Sequence, residues 1–448
     1  MSAHCKIIAI AKNEAAYIPQ WIAHHLYFGF SEIEIWVNGT TDNSLPMLKQ
    51  IAEKYPNIKF KDADDALKKC LDSGENFQVY AYQAMLQATE QEHSASHLIC
   101  LDLDELWTPK DFVTKIYSVI DKNSADAISF QWHLDTPNAH REIFARPFHD
   151  LNTFQKNRHV KTLVKLGDKP LKANIHNFAI QEGNYLLQDG STFEDIDIDQ
   201  HNKSKVPVTF FNNTKSRVDD FFVVHQVYRS CEEYVASLSR GRSHAGDEQP
   251  IKVNRDGYIL EPLSHHGLEF TINKEQLEKY NDHYEKFISE TKTRELLFEA
   301  RTFNQTKFSE VVSRVRHSKD FYLSYRNQFK GTKLNEKLAE RISYSHIIFN
   351  IDQTTYEDNG YTTITGWAFD TLSNRTPVII FESDVSNTTV TKIDRHDVQK
   401  IHQDAPLDCG FRLTIKPHDP TDKSQSPKNL KILFTSAFSS APVETQIK

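Results

Sequence analysis

The sequence predicts an α/β domain on a mostly parallel sheet (residues 1 to 245), a helical extension (246 to 345) and an antiparallel β-sandwich (346 to 448). Three observations carry this. Short β-rich runs alternate with helix-spaced segments early in the chain, the middle turns helical and highly charged, and the last hundred residues alternate apolar and polar positions.

The early runs are KIIAIA (6 to 11), EIEIWV (32 to 37), IKFKD (58 to 62) and SHLICLDLD (96 to 104). Between the first two, Ile18, Trp21, Ile22, His25 and Leu26 recur at three- and four-residue steps, the spacing of one helical face. Strands alternating with helices make βαβ units, whose ligands collect at the carboxyl ends of the strands. Three polar clusters sit there: KNE (12 to 14), NGTTD (38 to 42) and DLDE (102 to 105). From about 126 to 230 strand-like runs dominate, then KEQLEKYNDHYEKFISETKTRELLFEA marks amphipathic helix. YTTITGWAFD, PVIIFES, TTVTKID, CGFRLTI and LKILFTS form the terminal β pattern.

Composition suits a globular protein, with 39% apolar and 25% charged residues. A net charge of −8 argues against a nucleic-acid binder, which needs a basic face. Five scattered cysteines show neither zinc spacing nor a disulfide framework, as expected of reduced thiols inside a cell. The N-terminus lacks the features of a signal peptide, and no window approaches a membrane span, so the expected location is cytoplasmic, with any membrane contact peripheral, at the inner face.

Asp102, Asp104 and Glu105 pose the chemical question, because unpaired carboxylates at the end of an apolar strand lose hydration and repel one another. A divalent cation reverses that penalty: Mg²⁺ or Mn²⁺ takes one or two carboxylates and fills its other positions with water and phosphate oxygens. The competing account is a solvated turn, since a lone DxD recurs by chance.

The ordered set KNE, QWIAHHLYFGF (20 to 30), NGTTD, QVYAYQ (78 to 83), LDLDELW (101 to 107), the Trp132 strand, IHNF (175 to 178) and HQVYRSCEEY (225 to 234) with RGR (240 to 242) resembles the family 2-like and family 92-like glycosyltransferases of GT-A fold. The resemblance spans about residues 5 to 245 and implies a Rossmann-like mixed sheet. It further implies that Asp102 and Asp104 hold Mn²⁺ or Mg²⁺ on the diphosphate of a nucleotide-sugar, a UDP-sugar foremost, with His225 as a third ligand or diphosphate contact. Arg229 stands where Lys is common and would clamp phosphate, while Lys12, Asn13, Glu14, Asn38, Asp42, Gln78, Glu105 and His176 would border the donor. Asn38 replaces the aspartate that commonly reads the base, Gln83 replaces an Asn, and Tyr82 suits a buried helix as well as a substrate contact. An N-cap at Asn13 and an Asn-Gly turn at Asn38 are the structural alternatives.

Inverting transfer, which the resemblance implies, needs a group that takes the acceptor hydroxyl's proton. Asp195 matches the family's ED pair by spacing, in a run crowded with carboxylates; Asp135, at the end of the Trp132 strand, is the second candidate. GWAFD (366 to 370), RHDV (395 to 398) and CGFRLTI resemble a β domain appended to bacterial glycosyltransferases, where Gly366 and Trp367 would fix a close strand approach and Arg395 would pair with Asp397. Glycan contact by Trp367 is the functional alternative. The expected activity is transfer to a glycan or glycolipid in bacterial surface polysaccharide or lipopolysaccharide synthesis. The rivals are a nucleotidyltransferase or pyrophosphatase, disfavoured by the glycine-free KNE, and a non-catalytic glycan binder, disfavoured by the intact DLDE. The sequence leaves oligomeric state open.

Overall fold

A computed structural model describes the chain apart from residues 1–3, 123–124, 139, 168–170, 181–182, 194–203, 214–219, 241–249, 260–266, 335–346, 358–360, 372–373, 383–386, 417–429, 437–442 and 448. The chain divides into two compact units, one of residues 1–307 with 330–332 and the other of 308–329 with 333–448.

The first unit opens with β1 (Cys5–Ala11), α1 (Ile18–Tyr27), β2 (Glu32–Val37), α2 (Ser44–Lys54), β3 (Ile58–Asp62), α3 (Asp64–Ser73), α4 (Phe77–Glu92), β4 (His97–Cys100) and β5 (Glu105–Pro109). It continues through α5 (Ile116–Lys122), β6 (Ala127–Asp135), β7 (Leu151–Lys165), β8 (Leu171–Ala173), β9 (Phe178–Ile180), β10 (Tyr185–Leu187), α6 (Val208–Asn213), β11 (Phe221–His225), α7 (Cys231–Leu238), β12 (Gly267–Thr271), α8 (Lys274–Thr291) and the first part of α9 (Arg294–His317). Its main sheet runs β3-β2-β1-β4-β7-β6-β11-β5. The β3-β2-β1-β4 half is parallel, whereas β7 runs antiparallel to both β4 and β6, and β5 antiparallel to β11. The result is the mixed sheet of a GT-A domain.

The period-two alternation of β1 explains the layers. Ile7 and Ala9 pack with Trp21, Ile22, Met47 and Leu48 of α1 and α2, while Ile8 joins Ala81, Met85 and Leu86 of α4. Both faces are covered, as parallel strands require.

The run expected as a single strand to residue 104 ends at Cys100. Asp102–Asp104 is a turn, and Glu105 starts a new strand at the far edge of the sheet. A continued strand would have aimed both aspartates the same way; the turn separates them. Helix α1 holds it: the Trp21 indole N–H lies 2.9 Å from the Asp102 carbonyl and 2.8 Å from that of Glu105. His24 Nε2 is 2.8 Å from the Trp107 carbonyl, and His25 accepts from the Trp107 N–H at 3.3 Å while its Nδ1 lies 2.8 Å from the Trp21 carbonyl.

In the second unit, β13 (Ile347–Tyr356), β14 (Thr362–Asp370), β16 (Asn387–Ile393) and β17 (Gly410–Lys416) form one antiparallel sheet, and β15 (Val378–Glu382), β18 (Leu430–Thr435) and β19 (Val443–Ile447) another. Ile364, Phe411 and Leu413 of the first meet Ile432 and Phe434 of the second in a shared core. Two packed antiparallel sheets are a sandwich. A Cβ at Gly366 would fall 2.3 Å from the Asn350 carbonyl, so the glycine permits the close strand approach. Arg395 pairs with Asp397 at 2.6 Å and with Asp352 at 2.5 Å. Trp367 is half-buried beside Phe369 and His402. Among the described residues no helix is long and apolar enough to cross a membrane, and none of the five cysteines is in a disulfide.

Burial pushes His24 down to about 3, against the opposing pull of its Trp107 bond, and pushes His25 well below the ordinary range. Both are neutral when folded and regain an ordinary pKa near 6.5 when unfolded. Their contribution to stability is therefore full above about pH 6.5 and declines as acid protonates the unfolded chain, down towards the folded values. Urea unfolding between pH 7.5 and 5 is expected to show this loss, and His25→Gln to show a shallower slope despite lower stability at pH 7.5.

Candidate active site

The carboxylate turn closes on a cation that the chain supplies. Lys161 of β7 is fully buried, with Nζ 3.1 Å from Asp102 Oδ2, 3.1 Å from Glu105 Oε2 and 3.0 Å from the Ile175 carbonyl. Asp102 Oδ1 accepts from Gln78 Nε2 and the Tyr82 hydroxyl, each at 3.0 Å, and Glu105 Oε2 accepts the Asp102 N–H at 2.8 Å. Burial opposes the charge on Lys161, but Asp102 and Glu105 outweigh it and hold the ammonium above its ordinary range. Burial pushes Glu105 up, with Lys161 pulling the other way. Two of the three carboxylates thus share one internal cation.

Asp104 faces elsewhere. Its Oδ2 lies 3.4 Å from Nε2 of His225, the last residue of β11, and the next residue ties the two segments through a 2.7 Å bond from the Gln226 N–H to the Asp104 carbonyl. Burial works against both charges, yet each stabilises the other: Asp104 sits below the carboxylate range and His225 above its own. Trp132 packs 4.2 Å from the His225 ring and also touches His159 and His176. The His176 Nδ1 is 3.2 Å from the Val160 carbonyl, and burial with nearby Lys161 pushes the imidazole far down, so it is neutral.

Asp135 is 4% exposed, and its oxygens accept from the Tyr228 N–H (3.0 Å), the Arg229 N–H (2.8 Å) and Arg141 Nη1 (3.1 Å). With both oxygens engaged, it shapes the loop that presents Arg229. That residue adopts a left-handed φ of 48°. Its guanidinium lies 3.4 Å over the Tyr17 ring, donates to the Leu103 carbonyl at 3.3 Å and approaches Glu14 at 3.9 Å. Glu14 also pairs with Arg240.

The loops after β1 and β2 are stitched together by their own side chains. Asn13, with φ of 54°, accepts the Thr41 and Asp42 N–H groups on Oδ1 at 2.6 and 3.2 Å. Asp42 accepts the Ala15 N–H (2.8 Å) and, at the start of α2, the Ser44 N–H (2.9 Å). These two predicted donor contacts therefore position the loops. Asn38 is 1% exposed, and neither its amide nitrogen nor its oxygen has a hydrogen-bond partner among the described residues. Such a group is costly unless something pairs with it. Gln83, the departure from Asn, accepts the Ala173 N–H at 2.8 Å and supports β8.

Beside these loops lies a cavity of about 270 Å³. Lys12, Asn13, Gly39 and Thr41 line it from the strand ends, Arg229, Ser237 and Arg240 from the β11–α7 region, and Phe303, Asn304 and Lys307 from α9. Four of its lining residues are cationic and none is acidic. The arrangement suits an anion.

Among the described residues no three His, Cys, Asp or Glu side chains gather into a metal cage. The hard oxygen of Asp104 with the imidazole of His225 nevertheless fits a divalent ion whose remaining positions a diphosphate and water would fill. Asp195 lies outside the described residues, as do residues 241 and 242 of the RGR stretch. Reasoning from sequence passed over Lys161, Trp21 and α9. Lys161 alternates with His159, Leu163 and Lys165 on its strand face, a largely polar set that gave no signal of burial, and α9 gave none because its contribution depends on tertiary placement.

Residues 6–175 match the family described as Glycosyl transferase family 2. Among solved structures, the chain is 14% identical to a mannosyltransferase from Pyrobaculum calidifontis solved with GDP-Man and Mn²⁺, over 29% of this chain and 36% of that one, at a TM-score of 0.22. It is 16% identical to the galactosyltransferase LgtC solved with donor and acceptor sugar analogs, over 36% of this chain and 57% of that one, at a TM-score of 0.20. The chain thus spans about a third of the first and just over half of the second. No curated protein matches it.

Lys161→Met is expected to destabilise the first unit by about 3–5 kcal/mol, because it strands the fully buried Glu105 carboxyl and leaves half-buried Asp102 beside it without a cation. Urea unfolding checks this, and adding Asp102→Asn is expected to recover part of the loss.

Proposed function

With residues 6–175 forming a glycosyltransferase domain of family 2 type, we propose that the enzyme moves a sugar from a nucleoside-diphosphate donor, a UDP-sugar foremost, to a glycan or glycolipid hydroxyl with inversion. The single observation that supports this best is the Asp104–His225 pair next to a cavity lined by four cations and no carboxylate.

Asp104 and His225 would hold Mn²⁺ or Mg²⁺, and the ion would neutralise charge on the departing nucleoside diphosphate. Arg229 and Arg240 meet the same charge with guanidinium groups, whose fork geometry suits phosphate oxygens. Asp135 keeps Arg229 in place through the backbone. Lys161 keeps Asp102 and Glu105 from adding two unpaired negative charges to a site that receives an anion. Asn38, with a free donor and a free acceptor, reads the edge of the base. Asp195 takes the acceptor hydroxyl's proton, an assignment that rests on the family resemblance and on the engaged oxygens of Asp135. The absence of a glycine-rich phosphate loop after β1 weighs against nucleotidyl transfer. Surface polysaccharide or lipopolysaccharide synthesis at the inner face of a membrane is the proposed setting.

A thermal-shift screen of nucleoside diphosphates and nucleotide-sugars with and without Mn²⁺ tests the reading, since ligands that bind the native state raise its stability. A metal-dependent rise for one base is expected, Asp104→Ala is expected to lose it together with transfer, and Asp195→Asn to lose transfer alone. No response to any nucleotide would refute the proposal.

A further inference from the structure

Helix α9 begins well past the family-matched span, yet Phe303, Asn304 and Lys307 line the cationic cavity. Its register against the site is set by the Asn304 side-chain amide, which donates to the Tyr17 hydroxyl at 3.0 Å, and the Tyr17 ring in turn carries the Arg229 guanidinium. Phe303 is half-buried, and the Lys307 ammonium stands 5.4 Å from its ring centroid. Burial and the nearby Arg240 charge both lower the Lys12 pKa, so the cations of this cavity repel one another across it. The chain as a whole carries a net charge of −8, so four cations lining one cavity run against its overall balance.

A ligand that satisfies this cavity has an anionic part and a flat apolar part. We propose that α9 forms the outer wall of the donor pocket, with Phe303 the face on which the base of a nucleoside diphosphate packs and Lys307 a cation that holds its phosphates. The inference rests on the donor reading above and adds to it a residue that sets how tightly the nucleoside part of a donor is held. Aromatic packing of a base tolerates every base, so Phe303 contributes affinity for the nucleoside while Asn38 contributes choice among bases.

Isothermal titration calorimetry of the full chain with Mn²⁺ tests this, using UDP, GDP and inorganic pyrophosphate as probes. Phe303→Ala and Phe303→Leu are expected to weaken nucleoside diphosphate binding by about tenfold while leaving pyrophosphate unchanged, Phe303→Trp to retain both, and Lys307→Met to weaken all three. If Phe303→Ala and Phe303→Leu both bind UDP and GDP as the wild type does, or lose pyrophosphate equally, the role of α9 is overturned and the donor reading stands. If the wild type binds pyrophosphate but neither nucleotide, both fail.

Discussion

The buried ammonium of Lys161 is the constraint on which the rest of the site depends. A turn carrying Asp102, Asp104 and Glu105 between two strands of one sheet would be electrostatically untenable if all three charges faced a common space. Lys161 meets two of them at 3.1 Å, the Trp21 indole fixes the turn's carbonyls, and only Asp104 remains directed towards His225. Three carboxylates of similar sequence context thus acquire different environments. Desolvated ion pairs of this kind add little net stability compared with apolar packing, but losing one partner is severe, so the arrangement specifies geometry more than it strengthens the fold.

The same logic extends outward. Asp135 spends both oxygens on the loop of Arg229, and Asn13 and Asp42 bind the two strand-end loops to each other. A large share of the polar side chains near the site therefore hold other parts of it in place. The charged side chains lining the cavity are all cations, which is why the proposed chemistry places an anion there and stabilises charge as that anion departs.

Much of this was legible in the chain. The hydrophobic patterning of residues 6 to 62 defined β2 and β3 to the residue and β1 to within one, because the apolar positions of β1 and β2 are packed into the core and β3, at the sheet edge, still buries Ile58. The break at Cys100 was not legible, since LICLDLDELW is apolar enough to read as one strand and only the partners of Asp102 and Asp104 reveal the turn. Lys161 escaped notice because lysines on strands are usually solvated, and its burial depends on β7 lying between β4 and β6. Asn13 and Asp42 were found by pattern, but their work as loop ties depends on contacts across some thirty residues that no local motif encodes.

The central claim is that Asp104 and His225, not the Lys161-bound Asp102, face the metal. Electron spin-echo spectroscopy of Mn²⁺ bound with a nucleoside diphosphate tests it directly. Modulation from a coordinated imidazole nitrogen in the wild-type protein, abolished by His225→Gln, is the predicted result. A Mn²⁺ complex with no nitrogen coupling in the wild type would contradict it.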